Sequence, residues 1–244
     1  MQSIIAGRKP VMEALRSGTK VEKVLFLVGA QGAFIQELRA LAEQRSVPVV
    51  EANKQQFREL APDQTTQGVV AIVPTKQLVR LEEVMAIPAE RRQTGFLLVL
   101  DGIEDPQNLG ALIRTAECAG VHGVILPKHH SAPVTATVVK TSAGATEHMA
   151  IAEVTNVTSA LKELKKEGYW VVGLDGAGDK LYTDLDYSLP VALVVGNEGR
   201  GIRRLVREHC DHLVRIPLLG KIESLNASVA GALAMFEVVR ARKA

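Results

Sequence analysis

The sequence predicts an α/β protein whose larger part is a mostly parallel sheet with helices on both faces. Short unbroken apolar runs recur at 96–100, 123–126, 170–174, 191–195 and 212–216. Runs of this kind, rich in Val, Leu and Ile, suit parallel strands covered on both sides. Helical spacing fills gaps between them, as in Leu109, Leu112, Ile113 and Ala116. Hydrophobic residues are 47% of the 244 and charged residues 23%, enough for a buried core in one large domain or two modest ones.

Taken in order, 10–15 reads as a helix, 23–28 as a strand, 34–44 as a helix, 48–51 as a strand, 55–60 as a helix and 68–73 as a closing strand. Together they predict a small α/β domain over 1–74. Residues 75–93 mix charges with prolines and predict a linker holding at most one helical turn. The larger domain occupies 94–244. Its first helix has Asp105 as N-cap, Pro106 in the first turn and Gly120 just past the end. Thr158 to Lys166, stopped by Gly168, is another helix.

Composition narrows the function only a little. A net charge of +2 does not diagnose a nucleic-acid partner, and 4% aromatic residues exclude a surface built mainly on stacked rings. Cys118 and Cys210 have no CxxC spacing and sit in apolar stretches, which predicts buried free thiols. His129-His130 and the Glu147-His148 pair lack ligand spacing with other groups, so no metal is expected. The opening residues lack the apolar core of a signal peptide and no run is long enough to span a membrane, which predicts a cytoplasmic protein without a membrane partner.

Three segments carry chemistry. The first, 101–116, leaves a strand and enters a helix, and places Asn108 and Arg114 near what should be an anion-friendly helix start. The second, Gly196-Asn197-Glu198-Gly199-Arg200-Gly201, lets a strand run into glycines that bring backbone close to a ligand. It matches neither the dinucleotide fingerprint nor the P-loop. The third, 214–230, passes from an apolar strand through Ile216 and Pro217 to Ser224-Leu225-Asn226 and a helix of small residues. Ser224 is the expected N-cap there. Taken singly, an exposed arginine, a plain turn and a capped helix would explain the three equally well.

In order, the patterns N-x-G-x-x-x-R-T-A, G-N-E-G-x-G and I-P-x-x-G-x-x-x-S-L-N-x-S-V-A resemble the SpoU (TrmH) branch of the SPOUT RNA methyltransferases. Residues 6–15 and 66–71 resemble that family's N-terminal substrate-binding domain, which is similar to ribosomal protein L30e. The resemblance implies a trefoil knot in the C-terminal sheet. It also implies S-adenosyl-L-methionine as methyl donor, held by Gly196, Ile216 and Leu225 with help from loops 141–145 and 174–176. Catalysis is implied for Arg114, with Asn108, Glu198, Ser224 and Asn226 in support.

The substrate implied is a guanosine ribose 2′-hydroxyl in 23S rRNA, free or within a large-subunit assembly particle, and the enzyme would be a homodimer with each site at the subunit interface. The helix from Ser228 through Phe236 is the expected interface. Arg8, Lys9, Arg16, Lys20 and Lys23 would meet phosphates. A tRNA ribose methyltransferase and a catalytically silent RNA-binding assembly factor stay open as alternatives. Arginine stays protonated, so Arg114 is expected to grip a phosphate and steady an alkoxide rather than act as a base.

Overall fold

The computed structural model describes residues 3–16, 20–62, 65–74 and 76–243. Met1, Gln2 and Thr75, the first residue of the expected linker, lie outside them. The chain divides into two compact units, 1–76 with 134–140, and 77–133 with 141–244.

The first unit runs β1 (Ser3–Ala6), α1 (Arg8–Arg16), β2 (Lys23–Leu27), α2 (Ala33–Gln44), β3 (Val49–Ala52), α3 (Lys54–Leu60) and β4 (Val69–Val73). Its four strands lie in the order β1-β4-β2-β3, with β4 antiparallel to both neighbours and β2 parallel to β3. Alternation along the strands makes three layers. Val24 and Phe26 of β2 join Val69 and Ala71 of β4 under Val11, Leu15, Ile35 and Leu38 of α1 and α2. Leu25, Val70 and Ile72 face the other way onto Phe57 of α3. β1 has no strand signal of its own beyond Ile4-Ile5; pairing with β4 makes it one. Residues 134–140 come from far along the chain, yet Ala136 packs on this core and Lys140 Nζ pairs with Glu13 Oε1 at 2.6 Å.

The chain continues with α4 (Leu81–Glu90), β5 (Phe96–Asp101), α5 (Pro106–Cys118), β6 (Gly123–Pro127), α6 (Ala136–Thr141), α7 (Ala145–His148), β7 (Ala150–Val154), α8 (Val157–Lys166), β8 (Trp170–Leu174), β9 (Lys180–Leu181), β10 (Val191–Gly196), α9 (Arg204–Arg207), β11 (His212–Arg215) and α10 (Ala227–Lys243), all of the second unit except α6, whose residues 136–140 belong to the first. Seven strands form one sheet in the order β7-β6-β5-β10-β8-β11-β9, and every pairing is parallel. β5 and β10 are fully buried, as strands covered on both faces must be. From β5 the chain builds outward to β6 and β7 on one side and later returns to β10 on the other. Such a reversal opens a crevice at the carboxyl ends of the strands, where open α/β sheets bind ligands.

The 75–93 stretch is more than a linker. α4 buries Leu81 and Val84 in the second unit's core, while Glu82, Glu83 and Glu90 face outward. That charged outer face, with Pro88 inside the helix, masks its apolar stripe in the sequence. α10 begins at Ala227, and Asn226 rather than Ser224 caps it: Asn226 Oδ1 accepts Ser228 N–H at 2.9 Å and Val229 N–H at 3.3 Å. Cys118 is exposed, contrary to expectation, because it lies on the outer face of α5 beside Glu117. Cys210 is half-buried, and burial pushes its thiol up to about 12. Among the described residues no helix is long and apolar enough to cross a membrane, and no group of three His, Cys, Asp or Glu could hold a metal.

Candidate active site

Asn108 sits in the first turn of α5, behind an Asp105 cap that accepts Gln107 N–H at 3.0 Å. Its side chain is buried, and its Nδ2 donates to Glu198 Oε2 at 3.2 Å. Asn226, at the head of α10, donates Nδ2 to Asn108 Oδ1 at 2.9 Å and to Glu198 Oε1 at 3.1 Å. The three sequence segments therefore meet in one hydrogen-bonded triangle. Amide groups can donate and accept at once, whereas an ionised carboxylate only accepts. This is why two asparagines can lock both oxygens of Glu198.

Beside the triangle a cavity of about 350 Å³ opens at the carboxyl ends of β8, β10 and β11. Gly196, Ile216 and Leu225 line it, together with Leu174, Asp175 and Gly176. Small-ligand pockets run to about 300–1,000 Å³, with apolar walls and a few polar groups. Leu174, Ile216 and Leu225 supply walls for an aromatic ring; glycine backbone and Asp175 supply hydrogen-bonding groups. These residues fit a nucleoside-bearing methyl donor. Loop 141–145 does not line the cavity; Thr141 Oγ1 instead bonds Gln107 Oε1 at 3.1 Å, beside α5.

Gly196 shows how tight the wall is. A Cβ there would stand 2.3 Å from Gly201 C and 2.4 Å from Ile202 N. Asn197 shapes the loop that folds back so closely. Its Oδ1 accepts Gly199 N–H at 3.0 Å and Arg200 N–H at 3.2 Å, and its Nδ2 donates to Gly102 O at 2.9 Å.

Glu198 and Ser224 also line the cavity, but Asn108, Asn226 and Arg114 lie outside its wall. The Arg114 side chain is exposed and makes no hydrogen bond or ion pair with any described residue. It also stands about 12 Å along the axis from the start of α5, because each residue adds about 1.5 Å. The helix-terminal field fades within the first turn. The expectation that Arg114 shares an anion site at that helix start is therefore corrected: its own guanidinium is the local positive charge.

Sequence reasoning missed Asp101, fully buried at the end of β5, and its partner Arg203. An acid terminating an otherwise apolar strand was the available signal. It also missed Arg207, which faces the cavity with its Nε 3.5 Å from Oδ2 of Asp175, a residue of the expected 174–176 loop.

A parallel sheet with a cavity of this size and an amide–carboxylate cluster at its switch point defines a ligand-binding α/β protein. Residues 95–236 match the SpoU rRNA methylase family, and 4–79 match the RNA 2′-O ribose methyltransferase substrate-binding domain. The Bacillus subtilis protein YacO, named for the TrmH family of tRNA/rRNA methyltransferases, is 38% identical over 98% of this chain and 95% of its own length. An AdoMet-bound rRNA methyltransferase from Sinorhizobium meliloti superposes with a TM-score of 0.65 at 29% identity, over 98% of this chain and 87% of that one. The SpoU methyltransferase AviRb from Streptomyces viridochromogenes, solved with AdoMet, gives 0.64 at 27% identity, over 100% and 91%. The chain belongs to the SpoU/TrmH family of RNA 2′-O-ribose methyltransferases.

Proposed function

We propose that this enzyme methylates the ribose 2′-hydroxyl of a guanosine in 23S rRNA. The convergence of Asn108, Glu198 and Asn226 beside a donor-sized cavity carries the reading. The methyl donor is S-adenosyl-L-methionine, which when bound supplies an electrophilic methyl on a sulfonium. Gly196, Ile216 and Leu225 hold it. The rRNA target is favoured by the full-length likeness to the Sinorhizobium meliloti enzyme. A C-terminal trefoil knot and a cytoplasmic location belong to the same reading.

The reacting hydroxyl needs its developing negative charge steadied. Arg114, its side chain exposed and unpaired among the described residues, is free to grip an RNA phosphate bidentately and to face that oxygen. The bound donor would supply the methyl group to that oxygen with its sulfonium sulfur as leaving group, and the hydroxyl proton would pass to a phosphate oxygen. Glu198 is poorly disposed to take it, because both its oxygens already accept amide hydrogens. Glu198 with Asn108 and Asn226 instead fixes the loop, and Ser224 at the cavity wall orients the ribose.

Val229, Leu233 and Phe236 form an exposed apolar stripe on α10, with Leu219 and Ile222 exposed on the preceding loop. Ala234 and Met235 face inward, so the interface we assign is the other side of this helix. A second copy covering the stripe makes the homodimer, and Arg114 then serves a donor cavity beyond its own chain. In the first unit, Lys9 and Lys20 are exposed and available to phosphates, whereas Arg16 pairs with Glu37 at 2.8 Å.

Two measurements test this reading. Arg114→Ala should abolish turnover while donor affinity holds; equal loss of both would refute the division of labour. Mass-spectrometric mapping of 2′-O-methyl groups in RNA from cells with and without the gene should lose one 23S guanosine. Loss of a tRNA site instead would favour the tRNA alternative.

A further inference from the structure

The loop 197–202 makes a large part of the cavity wall, and both its ends are pinned to the end of β5. At one end Gly196 pairs in register with Asp101. At the other, Arg203 reaches back to the same Asp101. Asp101 Oδ2 accepts the Arg203 backbone N–H at 2.8 Å, and Oδ1 accepts Nε at 2.7 Å and pairs with Nη2 at 2.5 Å. Mutual hydrogen bonds between Asn197 and Gly201, at 3.0 and 2.8 Å, close the loop in between.

Asp101 is wholly buried, while the Arg203 side chain is 47% exposed. A buried carboxylate is costly unless it is paired and hydrogen-bonded. Among the described residues its partners all come from Arg203, immediately beyond the loop. Any movement that carries Arg203 away leaves that carboxylate unpaired, whereas the guanidinium could recover water. The bias toward one loop shape thus originates in Asp101.

We propose that Asp101 is a positioning residue for the methyl donor, holding loop 197–202 in its donor-binding shape through Arg203 while touching no reacting atom. This rests on the reading that the cavity takes S-adenosyl-L-methionine. When the binding-competent form is only partly populated, apparent affinity drops by that fraction, and saturating ligand restores the rest. A lost clamp should therefore appear in donor affinity rather than in turnover at saturation.

The test is calorimetric titration with S-adenosyl-L-methionine alongside turnover on rRNA, for the full chain and its Asp101→Asn, Arg203→Met and doubly substituted variants. Each single change should raise the donor Kd about tenfold, as expected if the competent loop falls to about a tenth of the population. Turnover at saturating donor should change far less. The double variant removes the buried charge together with its partner, so it should fold readily and bind no worse than either single one. Arg203→Lys, which keeps the charge, should recover part of the affinity. Unchanged donor Kd in the double variant, additive losses, or lost turnover with Kd intact would overturn the assignment. Failure of the unsubstituted protein to bind the donor would instead overturn the cavity reading beneath it.

Discussion

Asn226 donates its side-chain amide to Asn108 Oδ1 at 2.9 Å across 118 sequence positions, while its own Oδ1 caps α10. One side chain thus ties the first and third motifs together and starts the helix behind them. The two roles separate chemically. Asn226→Ser keeps a capping oxygen but loses the amide that reaches Asn108 and Glu198. Stability should fall by about 1–3 kcal/mol as the buried Asn108 Oδ1 loses its donor, and turnover should fall roughly tenfold or more as the loop loses its fixed geometry. Asn226→Ala should lose about 1 kcal/mol of stability in addition. Urea unfolding and methyl-transfer rates on the pair check this. Undiminished turnover in Asn226→Ser would remove the triangle from the mechanism.

Gly196 offers a test of the cavity wall. The atoms a Cβ would strike, at 2.3 and 2.4 Å, are backbone, so no side-chain rotation relieves them. Gly196→Ala should cost about 1–3 kcal/mol as the loop is forced away, and donor binding should be lost with it. Gly220→Ala is the control, because nothing lies within 4 Å of its added carbon. Donor titration of both variants decides the matter, and equal affinity would mean that the wall tolerates displacement.

His122 makes the second unit's stability sensitive to acid. Its ring is buried, with Nδ1 accepting Phe96 N–H at 3.1 Å and Nε2 2.9 Å from Gln93 Oε1. Burial holds its pKa below the ordinary histidine range. Below about 6.5 the unfolded chain takes up a proton that the folded chain resists. Its contribution is therefore intact above that pH and shrinks as pH drops toward the lower folded value. Unfolding free energy measured from pH 7.5 to 5 should decline less steeply in His122→Gln than in the parent. Parallel profiles would assign the acid sensitivity elsewhere.

The parallel sheet was legible because its strands are buried on both faces and read as unbroken apolar runs. β1 and β7 were not, since Ser3–Ala6 and Ala150–Val154 are short and become strands through their neighbours. The motifs revealed Asn108, Glu198 and Asn226 as residues of interest, but only the fold shows that they bond one another. Asp101 and Arg203 stayed hidden because an ion pair between residues 102 positions apart leaves no periodic trace. Position along a helix, not residue type, is what removes Arg114 from the terminus of α5.

The central claim is methyl transfer to a guanosine ribose in rRNA, and tritium transfer tests it most directly. The protein would be incubated with methyl-labelled S-adenosyl-L-methionine and 23S rRNA, and the RNA digested to nucleosides. Label should co-elute with 2′-O-methylguanosine and disappear with Arg114→Ala. Label on a base, or no transfer to any RNA by a protein that binds the donor, would contradict it.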